Sequence, residues 1–145
     1  MKKKMLKLNV ENLEFEEIIV ETEGKDIDFE EIQKAIGGYF ERVTYNLRLQ
    51  RNKINVFVDE EGKLKDLKPS VAVCFKKSNK IEIIELLAGS LVFTRCDGEY
   101  DYGLTDEQIK IIKEELQYKA IVKSGIMKDG KEQEIEETVR VLKYM

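Results

Sequence analysis

Asp28-Phe-Glu-Glu-Ile-Gln-Lys-Ala-Ile-Gly37-Gly38-Tyr39-Phe-Glu-Arg-Val43 reads as a capped helix, a glycine stop and the immediate start of a strand. Asp28 and Glu31 have capping-box spacing, in which the Asp side chain accepts from the N–H three residues on and the Glu reaches back. Phe29, Ile32 and Ile36 then share one helical face. Gly37 takes positive φ without a Cβ clash and so ends the helix. From Tyr39 the period becomes two. Tyr39, Val43, Tyr45, Leu47 and Leu49 take one face of the expected strand. Arg42, Thr44, Asn46, Arg48 and Gln50 take the other. A turn at residues 50–53 and the alternation of Ile54, Val56 and Val58 complete a hairpin, closed by Asp59-Glu60-Glu61-Gly62-Lys63.

Working outward, residues 5–10 and 15–22 read as strands, with Glu23-Gly24-Lys25-Asp26 as the turn after them. Residues 71–75, after Pro69-Ser70, fit a short helix or a buried strand, because periodicity cannot decide over so few residues. Residues 81–87 are apolar, Gly89 is a break, and residues 90–94 look like a strand. Residues 96–104 read as a polar loop. Thr105 and Gln108 form a second capping box, and Ile109, Ile112, Leu116 and Ala120 a helical stripe, which predicts a helix over 105–119. Lys128-Asp129-Gly130-Lys131 is a turn. In the tail, 132–145, Ile135, Val139 and Leu142 favour a helix over the strand that Thr138-Val-Arg-Val would suit. The expected fold is a single α+β domain over residues 1–145, an antiparallel sheet packed by two helices.

Composition narrows the function. The 145 residues are 37% charged with a net charge of −4, which gives a strongly solvated surface and no general basic face for nucleic acid. Direct nucleic-acid binding is therefore not expected. Lysines follow Met1 as in a secretory leader, but no apolar run of roughly 20 residues, as a membrane span needs, follows. Cys74 and Cys96 are isolated. Two reduced thiols, a cytoplasmic location and no membrane association are the expectation. Cys74 lies in an apolar run and is expected to be a buried structural thiol.

Histidine is absent, which removes the commonest general base, the Ser-His and Cys-His pairs and most zinc sites. A binding protein is therefore expected ahead of an enzyme, with no cofactor, no metal and no catalytic residue assigned. Asp97, Glu99 and Asp101 alternate as at the start of a calcium loop, but Tyr102 and Gln108 stand where such a loop needs Gly and Glu. Gly37-Gly38 lacks the phosphate-loop patterns and ends a helix where those loops open one. The preferred site is the row Arg42, Thr44, Asn46, Arg48 and Gln50, near Lys53, since two guanidinium forks among neutral hydrogen-bonding groups suit carboxylate or phosphate. The acidic run from Glu11 to Glu31, broken only by Lys25 among the cations, could imitate a nucleic-acid backbone in a partner's basic groove.

Four segments together carry a family resemblance: residues 32–43 around Gly37-Gly38, residues 58–64 around Asp59-Glu60-Glu61-Gly62, Gly89-Ser-Leu-Val-Phe, and Leu104-Thr-Asp-Glu-Gln108. Over residues 27–119 their order resembles the domain of unknown function 3846 family. The chain departs from that pattern at Lys68-Pro69-Ser70, where an Asn is expected. The resemblance implies an origin in a phage or mobile element and transfers no catalytic residue. The expected function is that of a non-enzymatic binding protein that occupies a host protein, such as a defence component. The alternatives are a binder that sequesters a phosphorylated nucleotide and a carboxylate-based, metal-dependent enzyme at Asp97, Glu99 and Asp101. Homo-oligomerisation is left open.

Overall fold

The structure is a computed structural model that describes residues 2–24 and 26–145, with the side chains of all of these but 124–128. Met1 and Lys25, the latter in the turn expected at residues 23–26, lie outside the described residues. The elements in chain order are β1 (Lys2–Leu8), β2 (Phe15–Glu21), α1 (Phe29–Ile36), β3 (Phe40–Val43), α2 (Leu47–Arg51), β4 (Ile54–Asp59), β5 (Pro69–Lys77), β6 (Lys80–Ala88), β7 (Leu91–Asp97), β8 (Tyr100–Tyr102), α3 (Asp106–Glu115), β9 (Lys119–Lys128) and β10 (Lys131–Lys143).

The strands form two sheets. One has the order β2-β1-β7-β4-β3, with β8 also on β7, and all its pairings are antiparallel. The other has the order β6-β5-β10-β9, and its β5/β10 pairing is parallel. Period-two side chains put apolar groups on both faces of the first sheet. Leu6, Val56 and Phe93 face the main core, which also holds Val71 and Val73 of β5, Leu142 of β10 and Ile109 and Ile112 of α3. Met5, Phe57 and Val92 face the other way and are covered by Ile32 and Ile36 of α1. The first sheet thus lies between α1 and a layer made of the second sheet and α3. The chain is sheet-dominated with a few helices, as expected. Two sheets replace the expected single one, and three helices, among the described residues, replace two.

The helix–glycine passage forms as expected at its end and differently at its start. Gly37 stands at φ +91° and donates its N–H to Gln33 O at 2.8 Å. Asp28 makes no side-chain cap; only its backbone carbonyl accepts, from Glu31 N–H at 3.0 Å. The strand after it is cut short at Val43 and the chain turns into α2. Asn46 causes this. Its side-chain oxygen accepts from Leu49 N–H at 2.9 Å, and its amide nitrogen donates to Lys143 O and Glu115 Oε1 at 2.9 Å each. An N-cap with a fully used buried side chain outweighs the alternation, and Leu49 is buried.

Three further expectations are corrected. The tail is β10, not a helix: Val139 and Leu142 are buried and its backbone is shared between β5 and β9. The expected loop at 96–104 contains β8, which folds back on β7. The helix expected over 105–119 ends at Glu115, with Leu116 as its C-cap, and Lys119 already belongs to β9. The ambiguous stretch after Pro69 is a strand, β5. The Thr105 capping box forms, with Gln108 N–H donating to Thr105 Oγ1 at 3.1 Å and Thr105 N–H to Gln108 Oε1 at 3.0 Å.

Candidate functional site

The five polar residues assigned to one strand face do not form a row. Arg42 is on β3, Thr44 is in the following connection, Asn46 is the buried cap, and Arg48 and Gln50 are on α2. Arg48 turns towards α3, where Nη1 and Nη2 hold Glu115 and Glu114 at 2.9 Å each. These carboxylates hold its pKa above the ordinary arginine value. Arg48 and Asn46 thus share Glu115 and tie α2 to α3.

The other three converge. Arg42, Thr44 and Gln50 line a cleft of about 410 Å³ together with Lys53, Cys96 and Asp97. Gln50 Nε2 donates to Thr44 O at 2.7 Å, which folds the connection onto α2. Lys53 adopts φ +58°, and its carbonyl accepts Cys96 N–H at 2.7 Å, which closes the cleft floor against β7. Arg42 and Lys53 enter none of the ion pairs made among the described residues. The one acid on the rim, Asp97, leans to Arg95, Oδ2 to Nη1 4.0 Å. Chemically the cleft is an open polar recess with two cationic arms, suited to an anionic group. Lys53, Cys96 and Asp97 enter it through tertiary folding, and only the proximity of Lys53 was visible beforehand.

The segments that carry the family resemblance meet a short distance away. Tyr39 O accepts Glu60 N–H at 2.9 Å, which clips the glycine pair to the Asp59–Gly62 turn. Within that turn Asp59 Oδ1 accepts Glu61 N–H at 2.8 Å and Oδ2 accepts Lys65 Nζ at 2.9 Å. Gly89, at φ +83°, donates its N–H to Lys68 O at 2.8 Å. A smaller recess of about 200 Å³ opens there between the sheets, lined in part by Glu41, Tyr45, Lys63 and Glu85. Burial, then the charges of Glu85 and Glu41, push the Tyr45 hydroxyl up from its ordinary pKa. Lys63 pairs with Glu85 across the recess. This pair bridges the turn after β4 of the first sheet and β6 of the second, so the recess reads as a joint of the fold.

Of the carboxylate candidates, Asp101 is held inside the fold. Asp101 accepts from Thr94 Oγ1 and, at 2.8 Å, from Asn55 Nδ2, while its carbonyl takes Ile27 N–H at 2.7 Å. Among the described residues no group of three or more His, Cys, Asp or Glu is placed to hold a metal. The acidic run is split between the edge strand β2 and the first turn of α1, and Glu14 reaches Lys119 at 3.7 Å. Cys74 is half-buried and burial pushes its thiol pKa up. No helix among the described residues is long and apolar enough to cross a membrane.

Neither the curated proteins nor the solved structures give a match to this chain. One family model matches, described as "Domain of unknown function (DUF3846)", over residues 4–117. That span reaches further towards the start than the resemblance over 27–119, taking in most of β1 and all of β2, and stops before β9. With this match over most of its length, the chain belongs to the DUF3846 family.

Proposed function

We propose that the protein is a non-catalytic binding module of a phage or mobile element that acts in the cytoplasm by occupying a host protein, for example a defence component. The observation that supports this reading is the cleft at Arg42 and Lys53, where two cationic side chains that have no ion-pair partner among the described residues share a recess with Thr44 and Gln50. The occupant is an acidic segment of the partner, since a guanidinium fork beside an ammonium favours a carboxylate and neutral donors fix its direction. Arg48 is no longer part of the contact surface; it holds α2 on α3.

The test is capture from host lysate with wild type, Arg42→Glu/Lys53→Glu and Arg48→Ala. A partner retained by wild type, released by added salt and lost only in the cleft variant supports the reading. A partner kept by a folded cleft variant sinks it.

The size of the cleft supports a second reading, sequestration of a phosphorylated nucleotide. About 410 Å³ lies within the roughly 300–1,000 Å³ range of small-molecule sites. A nucleotide that binds only the folded state raises the melting temperature. A shift with wild type that Arg42→Glu abolishes selects this reading, and a flat response across a nucleotide panel removes it.

A further inference from the structure

In the second sheet β6 is an edge, bonded among the described residues only to β5. Its exposed end carries Ile81 at 71%, Ile83 at 49% and Ile84 at 44% exposure. A bare edge with three isoleucines in four residues invites another strand, since natural edges are usually blunted by charge or covered. We propose that the occupant is a second copy of this chain, and that two β6 strands pair antiparallel about a two-fold axis through Ile81.

The register follows from charge. Lys80 and Glu82 flank Ile81 with opposite signs. Centred on Ile81, the pairing sets Lys80 of each copy opposite Glu82 of the other. Centred on Glu82 it would set two carboxylates face to face. Centred on Ile83 it would oppose Ile81 to Glu85, which Lys63 already holds. Registers between these are closed to a two-fold pair, because opposed residues must point to the same face of the sheet.

The intrachain pairing supports the same choice. Lys80 lies directly across from Lys77 of β5, a like-charge pair on one face. Glu82 of the second copy supplies the counter-charge that this pair lacks. On the other face, where Ile81 lies opposite Lys76 and Ile83 opposite Cys74, the axis gathers Ile81 and Ile83 of both copies into one four-residue apolar cluster. Two four-stranded sheets would thereby become one eight-stranded sheet. The seam is short, so association is micromolar rather than nanomolar.

Sedimentation velocity from about 10 µM to about 1 mM spans the range in which such a seam forms. Wild type is expected to shift from monomer to twice the monomer mass with rising concentration. Glu82→Lys, which sets lysine against lysine at both ends, is expected to weaken this about tenfold. Lys80→Glu/Glu82→Lys restores the opposite pairs and is expected to restore dimerisation. Arg42→Glu, in the cleft, should leave the dimer unchanged, so failure here and failure of the proposed function are distinguishable. Melting curves identify any variant that is not folded. A wild type that stays monomeric throughout overturns the proposal and leaves the edge to a different partner strand. A folded double variant as weak as Glu82→Lys overturns it as well.

Discussion

The ammonium of Lys65 lies 2.6 Å from the point that a Cβ on Gly38 would occupy, and the same ammonium holds the buried carboxylate of Asp59 at 2.9 Å. The second glycine of the pair therefore leaves room for an ion pair beneath it. Its absence of a side chain matters more than its backbone freedom.

Gly38→Ala should push the flexible end of Lys65 aside at a cost of about 1 kcal/mol. Asp59→Ala should cost about 2 kcal/mol, because it strands the Glu61 N–H as well as Lys65. Urea denaturation of both variants ranks them; an Asp59→Ala midpoint at or above that of Gly38→Ala would contradict the arrangement.

Two other glycines separate space from conformation. A Cβ on Gly62 would stand 2.9 Å from Ala88 O, a backbone atom that cannot swing away. At Gly37 there is open space but φ is +91°. Gly62→Ala is expected to cost about 3 kcal/mol and Gly37→Ala about 1 kcal/mol. Thermal melts read the order directly, and a reversed order would show that the turn relaxes.

The two sequence-encoded caps should behave differently. Thr105→Ala removes a formed capping box and is expected to cost about 1 kcal/mol. Asp28→Ala removes no side-chain hydrogen bond, so a loss of only about 0.3 kcal/mol, from the helix dipole, is expected. Equal losses in chemical denaturation would mean that Asp28 caps in solution.

Alkaline pH should weaken the fold. Burial, with Glu85 and Glu41, raises Tyr45 above its ordinary 10.0, and burial raises Cys74 above its ordinary 9.0. The unfolded chain then loses these protons first. The contribution is fully present below the unfolded values and is lost as pH rises through the folded ones. The urea midpoint should therefore fall between about pH 8 and about pH 11, and fall less in Tyr45→Phe/Cys74→Ala. An identical decline in that double variant would assign the effect to other groups.

What was legible in the sequence is what local bonding decides. Gly37 and the Thr105 box are set by neighbours in sequence, and the strands at 15–22 and 90–94 show in their own apolar and β-branched runs, although the second finds its partners far off in β1 and β4. Asn46 was misread because its decisive partners, Glu115 and Lys143, are far along the chain. Arg48 was misassigned with it, since one residue that leaves a strand for a helix cap re-aims every side chain after it. The tail was misread for the same kind of reason. Ile135, Val139 and Leu142 satisfy a helical period, yet Arg140 in their midst donates to Leu13 O at 2.8 Å and Leu116 O at 2.7 Å. Those acceptors fix β10 in place, and periodicity carries no sign of them. Three of the five site residues still share a cleft, because the connection from β3 to α2 brings Thr44 and Gln50 back beside Arg42.

The parallel seating of β10 against β5 has a consequence for the order in which the molecule can be built. All six strands of the first sheet have left the ribosome once Tyr102 has, so that layer can close early. The second layer cannot. After β5 and β6 zip together, the far side of β5 stays bare until Arg140, Val141 and Leu142 arrive to take up Val71, Ala72 and Val73. The backbone groups of β5 that β10 will take are meanwhile open along that edge. A nascent chain stopped at the end of the family match would carry that open seam permanently, a template for sticking to its neighbours rather than a shorter version of the same protein.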